Sequence, residues 1–316
     1  MSAGTEHQPP GPIEETAEDL AAGGRRRRRR IDAFPYLLLI PATILTLVIV
    51  AWPLIETFRL SFTDARLGRE SYVGVENYVD IFQDDFWEIM RRTFLWMGLG
   101  VTLKILMGLI GAVLLNAALP GRALFRVLIM PPWIVPIAIG VFMWSWMYNG
   151  QFGMISGLAQ RFGLIDGPFE FLAYGTSAFL ATVVTDVWVG TPLVALYLLA
   201  AMQSIPTELY EAAWTDGAGR WYRFRRITLP LIAPSIFTVA LLSAIWTFNS
   251  FDIIWILTEG GPRGSTTTMI IDTYKTAISR FRFGEGAARA VMILVCLTAF
   301  AGVYLALMAR TQRTDR

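Results

Sequence analysis

Long apolar stretches recur along the chain, and polar residues are concentrated between them. Each stretch holds about 20 predominantly apolar residues, enough for an α-helix to cross a hydrocarbon core of about 30 Å. The alternation with a period of two that is typical of membrane-spanning β-strands is absent. Six stretches meet the helical criterion: residues 34–55, 93–119, 124–148, 177–202, 231–257 and 287–309. The pattern predicts an all-α helical integral membrane protein with six transmembrane helices.

The composition agrees with a chain that is largely surrounded by lipid. Of the 316 residues, 54% are hydrophobic and 16% are charged, whereas soluble domains have roughly 25% charged residues. We expect a disordered basic N-terminal tail (residues 1–31), a six-helix membrane domain (residues 32–310) and a short C-terminal tail (residues 311–316).

Six consecutive arginines, residues 25–30, directly precede the first apolar stretch. Basic residues next to a span favour the cytoplasmic side, so this run predicts a cytoplasmic N-terminus. Six crossings then return the C-terminus to the cytoplasm, which predicts a multi-pass membrane protein with both termini cytoplasmic. Because the arginine run already has this topological role, we expect no nucleic-acid partner.

Residues suited to common catalytic chemistry are scarce. The single cysteine, Cys296, lies in the last apolar stretch, and the single histidine, His7, lies in the N-terminal tail. A Cys/His metal site therefore cannot be assembled from this chain, nor can a histidine-assisted serine nucleophile. No G-x-x-x-x-G-K-[ST] phosphate-binding loop is present. We expect a chain that is not an enzyme and holds no metal or nucleotide itself.

The polar segment between the fourth and fifth stretches, residues 204–230, has an unusual order. Pro206 and Thr207 suit the start of a helix, and Glu208 and Glu211 fall near the positive end of its dipole. Small residues follow at helical spacing, glycines break the helix, and a basic, aromatic stretch leads into the next span. The residues alone leave two interpretations open: a helix that another protein binds, or an interfacial helix that lies on lipid.

The same segment carries a family signature. It resembles the EAA loop of the permease subunits of binding-protein-dependent ABC importers, in their sugar (carbohydrate-uptake) branch, and is similar to the larger maltose permease. The residues that carry the resemblance are Glu211, Ala212, Ala213, Asp216, Gly217, Ala218 and the I-T-L-P of residues 227–230. Similar family segments occur at residues 73–82, 187–192, 248–262 and 284–288. The resemblance covers nearly the whole chain after residue 31.

The resemblance implies a type I ABC importer permease fold, a place in the bacterial cytoplasmic (inner) membrane and a set of partners. These are a second permease, usually a different chain, two copies of a cytoplasmic ABC ATPase, an extracytoplasmic substrate-binding protein, a sugar substrate and the membrane lipid. ATP and Mg are bound by the partner ATPase, and no cofactor is expected in this chain. The implied ATPase-coupling residues are Glu211, Ala212, Ala213, Asp216 and Gly217.

Two spans carry candidate substrate-binding residues. Ser243, Thr247 and Ser250 recur at i, i+4 and i+7 with Trp246 alongside, which offers hydroxyl partners and a flat ring to a sugar. The resemblance matches these positions, together with four in the fourth span, to those that line the maltose-type sugar site. The four are Asp186, Val189, Gly190 and Leu193. Helix packing and hydrogen bonds to the helix's own carbonyls remain the alternative for the hydroxyl side chains.

Asp186 departs from the maltose-type sequence, in which an asparagine stands at this position. An acid inside a membrane span is costly and usually faces a cavity or a partner. Lys104 falls at about the same depth of the second span. We therefore expect that the two either form an ion pair or both face the pathway. Asn249 and Asp252 are expected nearer the outer gate than the sugar.

Two other classes of protein compete with the importer. An ion-gradient-driven secondary carrier for small polar solutes would need an internal repeat and paired broken helices, and no convincing half-to-half similarity is present. A membrane scaffold or receptor would not transport. Neither class needs an ATPase-docking element, so the EAA loop argues against both.

Overall fold

The computed structural model describes residues 34–117 and 120–314 of the chain. Contacts divide the chain into two units, Met1–Pro53 and Leu54–Arg316. The tail predicted for residues 1–31 lies outside the described residues, as do residues 315–316. Residues 311–314 of the predicted C-terminal tail are helical and continue the last helix.

Helices account for nearly all regular structure in the described residues. In chain order they are α1 (Phe34–Thr46), α2 (Trp52–Leu60), α3 (Glu76–Gln83), α4 (Phe86–Asn116), α5 (Arg122–Leu128), α6 (Pro131–Ile134), α7 (Ile137–Met147), α8 (Met154–Arg161), α9 (Gly175–Gln203), α10 (Thr207–Thr215), α11 (Arg220–Arg223), α12 (Leu229–Phe248), α13 (Asp252–Thr258), α14 (Met269–Tyr274) and α15 (Phe283–Thr314). Three π-helical turns, Leu47–Ala51, Phe224–Thr228 and Lys275–Ser279, follow α1, α11 and α14. The predicted all-α class is confirmed.

Five helical segments are long and apolar enough to cross a membrane: Leu37–Leu60, Phe86–Asn116, Gly175–Gln203, Arg220–Phe248 and Phe283–Arg310. A sixth candidate is a bent pair, Arg122–Ile134 and Ile137–Met147, whose two helices differ in direction by 93°. The apolar stretch predicted over residues 124–148 is therefore bent, at a position where its prolines permit a kink. Pro136 has no N–H to continue the helix, and it keeps Val135 extended, with φ −63° and ψ 135°.

The fifth span also differs from its predicted range of residues 231–257. The helix already begins at Arg220 and ends at Phe248, and a separate helix, α13, follows. At this end the side-chain amide of Asn249 donates a 2.9 Å hydrogen bond to the carbonyl of Ile245. An asparagine that bonds to the backbone in this way favours a helix end over a helix interior.

The centre of the second unit is formed by α4, α9 and α12, which pack on one another. Their contact surfaces hold a core cluster that includes Leu115, Val194, Leu198, Ile232 and Val239. Other apolar side chains of the spans are exposed, as is normal for a surface that faces lipid tails. This three-helix centre positions the candidate site.

Candidate functional site

A cavity of about 410 Å³ opens where α4, α9 and α12 meet the turn after α12. All eight residues predicted to bind substrate border it: Asp186, Val189, Gly190, Leu193, Ser243, Trp246, Thr247 and Ser250. The wall also includes Lys104, Trp133, Ile137, Ile245, Asn249, Phe251, Asp252 and Ile253. The structure brings the predicted residues together around one cavity, and their contact with substrate stays a prediction.

Lys104 of α4 and Asp186 of α9 form an ion pair on the cavity wall, with 2.6 Å between Nζ and Oδ2. Lys104 Nζ also donates a 2.7 Å hydrogen bond to Oγ1 of Thr247 on α12. Both charged residues are buried, with 5% and 4% of their surfaces exposed. One ammonium group thus links three spanning helices. The two expectations for Asp186, pairing and facing the pathway, are compatible in this geometry.

The carboxylate of Asp186 is occupied on its buried side. Its Oδ2 is enclosed by the protein and lies 2.6 Å from Lys104 Nζ. Asp186 also borders the cavity. An ionised carboxylate has about four acceptor positions, so the contact with one ammonium group does not use them all.

Two glycines make room for the ion pair. A Cβ atom at Gly100 of α4 would lie 2.7 Å from Asp186 Oδ2, and one at Gly190 of α9 would lie 2.8 Å from Lys104 Cε. Gly190 was predicted to line the cavity, whereas nothing in the sequence singled out Gly100. Gly100 lies one helical turn before Lys104, but this spacing becomes informative only when the facing helix is known.

The hydroxyl stripe of the fifth span is shorter than predicted. Ser243 and Thr247 are buried on α12, and Trp246 between them is 56% exposed. Ser250 lies beyond the end of the helix, in a turn where its backbone N–H donates to the carbonyl of Thr247 at 3.1 Å. It therefore reaches the cavity from the turn and not from the helix face.

Asn249 and Asp252 lie closer to the candidate site than expected. Both border the cavity, although the sequence had suggested a role at the outer gate. Asp252 is exposed and is the first residue of α13, where a carboxylate complements the helix dipole.

The predicted coupling segment contains a short exposed helix. Helix α10 begins at Thr207 after Pro206, which confirms the predicted start. Glu211 and Ala212 are exposed on it. Asp216 caps its C-terminus, and Gly217 follows with φ +77°, a left-handed conformation that favours glycine.

A side-chain hydrogen bond connects this helix to the fifth span. The hydroxyls of Tyr210, on α10, and Thr228, just before α12, are 2.9 Å apart. Residues 220–230 of the predicted loop already belong to the long helical segment of that span. The coupling segment outside the spans is thus residues 204–219.

An ionic network surrounds the family segment at residues 284–288. Arg289 Nε lies 2.9 Å from Asp272 Oδ2, and Arg289 Nη2 lies 3.0 Å from Glu285 Oε1. Arg282 contacts the other oxygen of Glu285 at 2.6 Å. Burial raises the pKa of Asp272, and the charge of Arg289 opposes that rise. None of these contacts was predicted from the sequence: Asp272 lies on a different helix from Arg289, and the helical spacing of Arg282, Glu285 and Arg289 was not considered.

Comparison with known proteins shows the family to which the chain belongs. The family model described as "Binding-protein-dependent transport system inner membrane component" matches residues 104–313. The trehalose/maltose transport system permease protein of Thermococcus litoralis is 35% identical over 85% of this chain and 92% of the relative. The diacetylchitobiose uptake system permease protein of Streptomyces coelicolor is 29% identical over the full length of both chains.

The fold is also found among solved structures. A bacterial ABC transporter involved in the import of the acidic polysaccharide alginate contains a chain that matches with a TM-score of 0.79. The match covers 88% of this chain and 96% of that chain, at 22% identity. With its helical spans and its EAA segment, the chain belongs to the binding-protein-dependent transport system inner membrane components, the multi-pass permease subunits of ABC transporters.

Proposed function

We propose that the chain forms half of the translocation pathway of an ATP-driven, binding-protein-dependent importer of a sugar or sugar derivative. The observation that carries the proposal is the cavity bordered by the Lys104–Asp186 pair, Ser243, Thr247 and Trp246. A sugar presents hydroxyl groups, which need donors and acceptors, and apolar ring faces, which pack on aromatic rings. The cavity offers both kinds of partner within two turns of α12.

Within this site the residues have separate roles. The carboxylate of Asp186 accepts a hydrogen bond from a sugar hydroxyl, since it borders the cavity and has more acceptor positions than the pair with Lys104 uses. Lys104 holds Asp186 and Thr247 in position through its contacts of 2.6 and 2.7 Å. The exposed indole of Trp246 packs against the sugar ring. Val189, Gly190, Leu193, Ser243 and Ser250 complete the wall.

The relatives support the class of solute. One is named for trehalose and maltose and the other for diacetylchitobiose. These solutes are sugars or sugar derivatives.

The coupling role is assigned to the exposed residues of α10 and its C-terminal turn. Glu211, Ala212, Ala213, Asp216 and Gly217 bind a cytoplasmic ATPase, which holds ATP and Mg and supplies the hydrolysis. The hydrogen bond between Tyr210 and Thr228 passes movement of α10 to the helix that carries Ser243 and Thr247. Two ATPase copies, a second permease and an extracytoplasmic binding protein complete the importer, and both chain termini are cytoplasmic.

The direct test is affinity purification of the tagged chain from its native membrane in mild detergent, followed by mass spectrometry of the copurifying proteins. The proposal requires an ATPase, a second permease and, when solute is present, a binding protein. The recovered complex is then placed in liposomes, where sugar uptake must depend on ATP. A chain that transports a solute on an ion gradient with no ATPase would overturn the proposal in favour of a secondary carrier.

A further inference from the structure

A basic, aromatic surface lies at the beginning of the fifth span. Residues 220–226 read R-W-Y-R-F-R-R, and we call them the basic aromatic segment. Trp221 and Tyr222 are 70% and 57% exposed, and Arg225 and Arg226 are exposed as well. Within the described residues, none of the four arginines of this segment has an ion-pair partner.

The length of the helix fixes where this segment lies relative to a bilayer. Helix α12 has 20 residues, Leu229–Phe248, and contains no Asp, Glu, Lys or Arg. At about 1.5 Å per residue it spans about 30 Å, which by itself matches the hydrocarbon core. The basic aromatic segment continues the same helical segment, which runs over Arg220–Phe248. It therefore lies at the level of the lipid headgroups.

The chemistry of the segment fits one kind of occupant. Residues 217–251 contain no Asp or Glu, and Asp216, four residues before Arg220, forms no ion pair with the segment in the part of the chain that the structure describes. Guanidinium groups bind phosphate oxygens with two parallel hydrogen bonds. Trp and Tyr are enriched at the membrane–water interface, and juxtamembrane basic clusters attract anionic lipids. We propose that the basic aromatic segment is a binding surface for the headgroups of anionic phospholipids.

This surface is connected to the coupling helix. Thr228 lies two residues after the segment and is hydrogen-bonded to Tyr210 of α10, with 2.9 Å between the hydroxyl oxygens. Lipid bound to the segment anchors the end of the coupling loop that enters the membrane. Anionic lipid is therefore expected to influence how firmly α10 is held, independently of the solute that the cavity accepts.

An acidic surface of the ATPase is the competing occupant. The exposed indole and phenol rings favour lipid, because they suit a boundary between water and hydrocarbon. The segment also lies on the axis of a spanning helix, whereas α10 is a separate helix offset from it by the turn at Gly217.

The test measures phosphatidylglycerol binding to the purified full chain in neutral detergent by native mass spectrometry, with phosphatidylcholine as the reference lipid. The wild-type chain is expected to prefer phosphatidylglycerol, and 0.5 M NaCl should remove most of that preference. The double variant Arg225→Gln/Arg226→Gln should bind phosphatidylglycerol about 25-fold more weakly, about fivefold for each arginine. Phosphatidylcholine binding should not change, and glycerol phosphate should not displace the lipid.

The matched control is Arg91→Gln/Arg263→Gln. These arginines are exposed and have no ion-pair partner within the described residues, and the six-span order puts them on the opposite side of the membrane. Their loss should leave phosphatidylglycerol binding unchanged. Equal binding of the two lipids by the wild-type chain would overturn the proposal even if a variant failed to fold. The surface would be assigned to the ATPase instead by one pair of results. In that case Arg225→Gln/Arg226→Gln would bind phosphatidylglycerol as strongly as the wild-type chain, but would no longer copurify with the ATPase in detergent without added lipid.

Discussion

Lys104 Nζ lies 2.6 Å from Asp186 Oδ2, and this ion pair joins α4 to α9 on the wall of the cavity. Thr247 of α12 accepts a hydrogen bond from the same ammonium group. A buried ion pair adds little net stability, because the loss of hydration opposes the attraction of the charges. Removing one partner is more costly, because it leaves a buried charge without compensation. Variants that remove one charge or both charges therefore distinguish the effect of the pair on stability from its effect on transport.

Asp186→Asn is expected to lower the thermal midpoint of the detergent-solubilised complex and its yield. The substitution leaves the ammonium of Lys104 without a counter-charge, at a cost of about 3–5 kcal/mol. The double variant Lys104→Gln/Asp186→Asn removes both charges and should recover most of the stability. If Asp186 accepts a sugar hydroxyl, uptake by the double variant should still be reduced. Normal midpoint and normal uptake in Asp186→Asn would contradict both the structural role and the ligand role.

Gly100→Ala is expected to disturb the ion pair without altering any charge. The new Cβ would lie 2.7 Å from Asp186 Oδ2 and 3.4 Å from Thr247 Cγ2. Overpacking of this kind costs about 1–3 kcal/mol, to be measured as a lower thermal midpoint accompanied by weaker uptake. Gly98→Ala on the same helix is the matched control, since its Cβ meets nothing within 4 Å. The control should be neutral or slightly stabilising, and equal losses in the two variants would rule out the close contact as the cause.

Trp246→Ala is expected to reduce uptake at limiting sugar by about tenfold, because the ring face that packs on the sugar is lost. The indole is 56% exposed, so the thermal midpoint should change little. Trp146→Ala provides the comparison, because Trp146 is 73% exposed and is not among the residues that border the cavity. Uptake should survive that substitution. A parallel loss in both variants would indicate a general effect of tryptophan removal.

The long apolar stretches were enough to predict the candidate spans, and every candidate substrate-binding residue except Ser250 lies on the helix predicted for it. The choice of those residues depended on the family resemblance. The start of α10 also followed from sequence, because Pro206 and Thr207 have strong local preferences for a first helical turn. These features depend on residues that are close together along the chain, and they can therefore be predicted from a single sequence.

The features that were missed depend on packing between segments. The prolines near residue 136 permitted a bend, but its 93° angle depends on what the two halves contact. The end of α12 at Phe248 was missed because residues 253–257 are apolar again, and hydropathy alone does not reveal where a helix ends. The importance of Gly100 becomes visible only when Asp186 lies opposite to it.

Gly217→Ala is expected to weaken ATPase copurification and ATP-dependent uptake. Gly217 has φ +77°, and a residue with a Cβ is strained there by about 1–2 kcal/mol. The turn that follows α10 should therefore shift. Gly219→Ala is the control, because Gly219 has φ −66° and its Cβ meets nothing within 4 Å. Copurification that is equally strong in both variants would show that the ATPase does not depend on this turn.

The stability of the wild-type chain relative to Asp272→Asn is expected to change with pH. Burial raises the pKa of Asp272 above its ordinary value, so the folded chain binds this proton more tightly than the unfolded chain. The stability contributed by protonation is complete below the unfolded pKa and is lost as the pH rises through the raised folded pKa. Asparagine does not titrate, so the wild-type chain should gain in thermal midpoint relative to the variant as the pH falls from 7 towards 4. A relative loss over that range would mean that attraction to Arg289 outweighs burial and that the pKa is lowered instead.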